Sequence, residues 1–309
     1  MEAGARSHAH HGPAPAAAPA RAKSHIRQVV SDYVDMTKPK VQSLLLFTTI
    51  TTMYVAGTPS VGLVLLTCLG GALASGGAGA INHYLDRDID ARMTRTANRP
   101  VPSGRVAPGA ALAYGIVLGI CSFALLALTV NVLAASLALS GLLGYVLVYT
   151  LWLKRRTPQN IVIGGAAGAV PPLVAWAAVT GGLDGTALYL FAIVFYWTPP
   201  HFWALSLLMK DEYAGAGVPM LPVVRGEAET RWQILLYTIL LVAVTLLPFA
   251  FGVFDGLYLV AALVLGSAFT LMAMKLHRDG ERRTALKLYL FSLAYLALLF
   301  AAMVADARL

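Results

Sequence analysis

Charged side chains are scarce in this chain, at 12% of its 309 residues against 58% hydrophobic. Soluble domains carry about 25%, and with a mean hydropathy of +0.70 a water-soluble globule is excluded. Cysteine is scarcer still. Cys68 and Cys121 are the only two, and both fall in apolar runs, so no disulfide framework is implied and both read as small packing residues. Strict alternation of apolar and polar residues is absent, which argues against a β-barrel. The first 24 residues are rich in Ala and Pro and lack the apolar core of a signal peptide. His8, His10 and His11 could bind a metal there, but a solvated tail explains them as well.

Long uncharged runs stand in place of charge. No Asp, Glu, Lys or Arg occurs from Val41 to Leu85 or from Val106 to Leu153. A hydrocarbon core takes about 20 helical residues to cross, so each run holds two passes, and helices satisfy their own backbone groups in lipid. Nine helices are expected, near Lys38–Ala56, Val61–Tyr84, Pro108–Val130, Val132–Leu153, Ile161–Thr180, Thr186–Met209, Trp232–Gly252, Leu257–Met274 and Thr284–Ala305. The fold class is all-α: a polytopic membrane protein of about nine transmembrane helices in one bundle. Residues 1–36 are expected to be a disordered cytoplasmic N-terminal tail, and 37–309 the transmembrane domain.

Basic residues gather in five places: the N-terminal segment, Arg87–Arg105, Lys154–Arg156, Lys210–Arg231 and Lys275–Lys287. Nine spans put all five on one face, with only Arg308 of the 23 basic residues on the other. The positive-inside bias makes that face cytoplasmic, with the N-terminus inside and the C-terminus outside. The net charge of +8 therefore reads as topology and contact with anionic membrane lipids, and not as nucleic-acid binding. Two compartments stay open: a cell inner (plasma) membrane, or a mitochondrial inner membrane, because Arg6 and Arg21 accompany a single acid in the tail.

Chemistry is concentrated in Asn82-His83-Tyr84-Leu85-Asp86-Arg87-Asp88-Ile89-Asp90. Asn82, Asp86 and Asp90 stand at i, i+4 and i+8, one row on a helix face. Mg²⁺ takes oxygen ligands, typically one or two carboxylates plus substrate phosphates, so this row suits a metal–diphosphate complex. A solvated helix end would show the same spacing. Arg92, Arg95 and Arg99 follow, and Lys154, Arg155 and Arg156 end the fourth helix on the same face. Guanidinium groups bind phosphate oxygens bidentately, although basic residues here also anchor helices. A second constellation, Lys210-Asp211-Glu212-Tyr213, follows the sixth helix, where Asp211 and Glu212 could hold a second metal. His201 lies inside that helix after Pro199-Pro200, and an ionisable residue in a span is a functional candidate, or a packed core residue.

Asn82-x-x-x-Asp86-x-x-x-Asp90 resembles the first aspartate-rich motif of the intramembrane aromatic prenyltransferase superfamily. Arg95-Thr-x-Asn-Arg-Pro100, Tyr149-Thr-Leu-Trp-x-Lys154-Arg155, His201-Phe-Trp-Ala-Leu205 and Pro219-Met-Leu-Pro222 are similar to its haem-farnesylating branch, the protohaem IX farnesyltransferases. The resemblance runs from about Thr37 to the end. It implies transfer of farnesyl from farnesyl diphosphate to a vinyl group of haem b, with Mg²⁺ as cofactor. It implies Asn82, Asp86, Asp90 and Asp211 as metal ligands and Asn82, Arg95, Arg99, Lys154 and Arg155 as the diphosphate site. Asp86, Asp90, Lys154 and His201 are the implied catalytic residues, with His201 meeting haem iron or orienting a water. Tyr84, Tyr149 and Tyr196 are candidates to shelter an allylic cation. Haem A synthase or oxidase assembly factors are the protein partners it suggests. One departure concerns the second motif: Gly215 stands four residues after Asp211, where relatives acting on quinone precursors carry a second Asp. A prenyltransferase for a quinone or phenolic acceptor such as 4-hydroxybenzoate is the alternative. A transporter would place charges near the bilayer midplane, where these spans have almost none.

Overall fold

A computed structural model describes residues 25–309. The Ala/Pro-rich stretch with His8, His10, His11, Arg6 and Arg21 lies outside the described residues. The last twelve residues of the expected disordered tail form a helix, α1 (His25–Met36). It is held where Asp32 meets Arg105 at 3.0 Å and the Tyr33 ring meets Tyr114 edge-on.

The described residues are helical, with no strand among them. After α1 come α2 (Pro39–Ala56), α3 (Val61–Leu85), the short α4 (Arg87–Arg92) and α5 (Pro108–Thr129). The sequence break expected at Asn131 is real. Its side chain accepts from the Ala134 amide at 2.8 Å, capping α6 (Val132–Leu143), and donates to the Ala177 carbonyl. α6 continues as a π-helix over Gly144–Trp152 and one 3₁₀ turn to Arg155. The expected fifth span is two helices, α7 (Asn160–Gly168) and α8 (Val170–Thr180), divided where Pro171 and Pro172 withhold backbone donors. Next are α9 (Gly185–Leu208), α10 (Lys210–Gly215), α11 (Leu221–Val224), α12 (Gly226–Ala250), α13 (Gly256–Asp279) and α14 (Arg282–Asp306).

Among the described residues, seven of the nine expected spans are long and apolar enough to cross a membrane by length and composition, which makes this a multi-pass membrane protein. The two that fall short by that measure, α2 and α9, carry Thr, Pro, His and Gln and bury many of those polar residues inside the bundle. Small residues let helices touch backbone to backbone. A Cβ on Gly77 would sit 2.7 Å from the Gly115 carbonyl, and the Ser122 hydroxyl donates to Gly70 O, which locks α3 to α5.

Among the described residues, side-chain contacts bring α1 and the other four basic clusters to one end of the bundle. Arg105 meets Asp32, Arg155 meets Asp88, and the Arg95 amide meets Glu212. Lys210, Arg231, Gly280 and Arg282 line one small cavity. Arg308 is at the other end, donating to the Tyr54 and Gly57 carbonyls.

Candidate active site

The backbone amide of Asp86 donates to Asn82 O and that of Asp90 to Asp86 O, so the row continues unbroken from α3 into α4. Asp86 is 0% exposed and Asp90 2%. Burying carboxylates is costly unless they are paired, and both are. Lys154 Nζ lies 2.5 Å from Asp86 Oδ2, and Arg99 Nη1 lies 2.7 Å from Asp90 Oδ2. The Asn82 amide also donates to Asp86 Oδ2, at 2.6 Å, and its oxygen accepts from Lys38 Nζ at the same distance. Arg155 forks onto Asp88 at 2.7 and 2.8 Å, and this hydrogen bonding holds the Asp88 carboxyl down at about 2.

The π-helix explains how α6 reaches this row. Side chains five apart share a face there, as those four apart do on an α-helix. Tyr145, Thr150 and Lys154 are thereby brought to neighbouring positions. Tyr145 OH is 3.4 Å from Lys38 Nζ, Thr150 Oγ1 is 3.2 Å from Asn82 Nδ2, and Lys154 pairs with Asp86.

Lys38 occupies the bend between α1 and α2 with φ 56° and ψ 57°. It is the single non-glycine residue with positive φ among the described residues, a conformation that costs an L-residue about 1–2 kcal/mol. Burial, aided by Arg99 and then Lys154, pushes its ammonium down to about 7. Three basic groups thus crowd a buried spot that holds two carboxylates. Such a site favours the arrival of further negative charge.

Asp86 Oδ1 is buried with no hydrogen-bond partner, and Arg155 Nη2 stands 3.7 Å from it. An orphaned carboxylate oxygen beside Asn82 and Asp90 is a hard-oxygen donor set of the kind Mg²⁺ takes. No cluster of three His, Cys, Asp or Glu that could hold a metal occurs among the described residues, so this set offers two carboxylates and an amide.

The second constellation meets the first through Glu212 and Tyr213. Glu212 Oε2 accepts from the Arg95 amide at 3.4 Å. The Tyr213 hydroxyl is raised by burial, then by Tyr149, while Arg95 and Lys154 pull it down. Asp211, next to Glu212 on α10, is about 100° around the helix and lines a separate cavity of about 170 Å³ with Lys210, Glu227 and Arg231. It is not brought to the Asn82 row. Among the tyrosines, Tyr149 packs against Tyr145 at 5.4 Å, whereas the Tyr84 ring is covered by Arg87 and Tyr196 packs on Phe195. His201 is buried on α9 against α14, with Nδ1 2.7 Å from Ser292 Oγ.

Sequence reasoning missed Lys38, Tyr145 and Thr150. Lys38 looks like any cation at the foot of a span.

Comparison with known proteins follows the same outline. The UbiA prenyltransferase family model matches residues 45–299. Protoheme IX farnesyltransferase of Chloroflexus aurantiacus is 56% identical over 295 residues, covering 95% of this chain and 50% of that protein. Its counterpart in Symbiobacterium thermophilum is 53% identical, covering 94% and 98%. The chain spans about half the length of the first of these relatives and nearly all of the second. Among solved structures, a digeranylgeranylglyceryl phosphate synthase superposes with a TM-score of 0.75 at 19% identity, covering 91% of this chain and 100% of that one. A UbiA homologue from Archaeoglobus fulgidus bound to GPP and Mg²⁺ gives 0.62 at 16% identity, covering 88% and 99%. At those identities the likeness is one of fold.

Proposed function

The chain belongs to the UbiA prenyltransferase family, and from that premise we propose that it transfers farnesyl from farnesyl diphosphate to a vinyl group of haem b. The reading is carried by the buried Asn82–Asp86–Asp90 row, faced by Lys38, Lys154 and Arg99, with one carboxylate oxygen left unpartnered. The names of the relatives above support the acceptor, and the Mg²⁺ and prenyl diphosphate in the neighbouring structure support the donor side.

Asn82, Asp86 and Asp90 would hold Mg²⁺, which when bound supplies positive charge to the departing diphosphate. Lys38, Lys154 and Arg99 give up part of their pairing with the row to bind diphosphate oxygens, and Arg95 and Arg155 stand at its edge. Their charge is in place before the C1–O bond breaks, which is preorganised stabilisation of the leaving group. Bond breaking puts the electron pair on the diphosphate and leaves an allylic cation. Tyr145 and Tyr149 line the deeper side of the site and offer ring faces to that cation. The vinyl π electrons then form the new carbon–carbon bond, and water adds to the resulting cation beside the porphyrin and loses a proton. His201 is the residue we assign to the acceptor, as a ligand to its iron or to orient that water.

The test is diphosphate release by the purified protein. Release should require haem b, stop on chelation with EDTA and return with Mg²⁺. Release that ignores haem b and follows 4-hydroxybenzoate would move the assignment to a phenolic acceptor.

A further inference from the structure

The His201 ring is packed among aromatic side chains and is 6% exposed. Trp197 stacks on it with centroids 4.3 Å apart, Tyr289 stacks at 4.8 Å, and Phe202 meets it edge-on at 5.2 Å. Its Nδ1 lies 2.7 Å from the hydroxyl of Ser292, a residue 0% exposed on α14. The same hydroxyl lies 2.6 Å from the Tyr289 carbonyl, one turn back along α14. The Ser292 carbonyl accepts from Trp197 Nε1 at 2.7 Å, which ties the stacking ring to the same turn.

A serine hydroxyl has one proton to give, and a carbonyl oxygen can only accept. With the proton on the Tyr289 side, Ser292 Oγ is left with lone pairs, so Nδ1 must carry the hydrogen between it and the hydroxyl. The reverse assignment would leave two oxygens 2.6 Å apart with no proton between them. None of the four residues that clamp the ring is anionic, so the ring is neutral and carries its one hydrogen on Nδ1. Nε2 then has a bare lone pair, and among the described residues no side chain hydrogen-bonds to it.

We propose that Ser292 is a positioning residue that fixes His201 in the Nδ1–H tautomer and so presents Nε2 as a neutral ligand to the acceptor's iron. Histidines that bind metal characteristically donate their other N–H to a fixed acceptor, and Ser292 is that acceptor here. The iron half rests on haem b being the acceptor, as proposed above. The tautomer half does not.

The experiment separates the two. Full-length protein labelled with ¹⁵N-histidine and held in lipid nanodiscs reports the tautomer by NMR, with the His201 signal identified by its loss in His201→Gln. Wild type should show Nδ1 protonated. Ser292→Ala should lose that state, and Ser292→Thr, which restores a hydroxyl, should keep it. Haem b titration should then show a Soret band that shifts in His201→Gln, and a haem affinity about tenfold weaker in Ser292→Ala. Ser292→Thr should bind haem as wild type does, and farnesyl diphosphate affinity should be constant across the set. An Nε2-protonated ring in wild type, or an unchanged signal in Ser292→Ala, overturns the positioning role. The expected tautomers with no haem binding by wild type overturn the iron half and the acceptor assignment together. Haem binding with a Soret band indifferent to His201→Gln overturns the ligand role while leaving the acceptor in place.

Discussion

Asp86 and Asp90 are held by cations that diphosphate also needs, and this sets what their loss should do. Asp86→Asn and Asp90→Asn keep the side-chain shape and the helix ladder but remove an anionic oxygen. Turnover should fall about 10²–10³-fold, as for other single electrostatic elements of a transition state, while the protein still elutes as a folded species in detergent. Near-wild-type turnover at saturating Mg²⁺ would return the row to an ordinary helix end. Lys38→Gly isolates the neighbouring cation. Glycine adopts positive φ freely, so the bend between α1 and α2 survives and only the ammonium is lost. A charged hydrogen bond contributes about 1.5–3 kcal/mol, so KM for farnesyl diphosphate should rise roughly 10- to 100-fold, and an unchanged KM would remove Lys38 from the site. The Asn82 row was legible in the sequence because its spacing alone puts three oxygen-bearing side chains on one face. Lys38 was not, because its contact with Asn82 spans 44 positions and depends on a backbone angle that no residue type announces. Ser292 was hidden for the same reason, 91 positions from His201.

The elements carry a different lesson. Apolar run length placed the nine rods, and the Asn131 cap and the Asp184 cap of α9 fall where the sequence breaks. The π-helical stretch of α6 was not legible, since Gly144–Trp152 is as apolar as the α-helical residues before it. That stretch is what aims Tyr145, Thr150 and Lys154 at α3. Deleting Val148 should return it to α-helical register with Tyr145, Thr150 and Lys154 then spaced i, i+4 and i+8, still one row on a helix face. Turnover should therefore stay well above that of Lys154→Met, with helix content by circular dichroism retained. Turnover as low as in Lys154→Met would show that the π-helical turn itself is needed to position the lysine. On α10 the 100° step between neighbours explains why Glu212 meets Arg95 while Asp211 does not, which the residue types alone left undecided.

At the scale of the whole molecule, one end of the bundle gathers the carboxylates, the guanidinium groups and the basic loops, while the other holds Arg308 against Tyr54 and Gly57. Positive-inside bias predicts that the site end faces the cytoplasm. A reporter active only outside that compartment should work when fused after Ala307 and stay silent after Gly104, and the reverse pattern would overturn the orientation. Farnesyl transfer to haem b is the claim on which the residue assignments converge. Its most direct test is the mass of the product formed when purified protein is given farnesyl diphosphate, Mg²⁺ and haem b together. The predicted product is haem b gaining one farnesyl group and one hydroxyl, with one diphosphate released. Haem b recovered at its original mass, beside prenylated 4-hydroxybenzoate in a parallel reaction, would contradict the account.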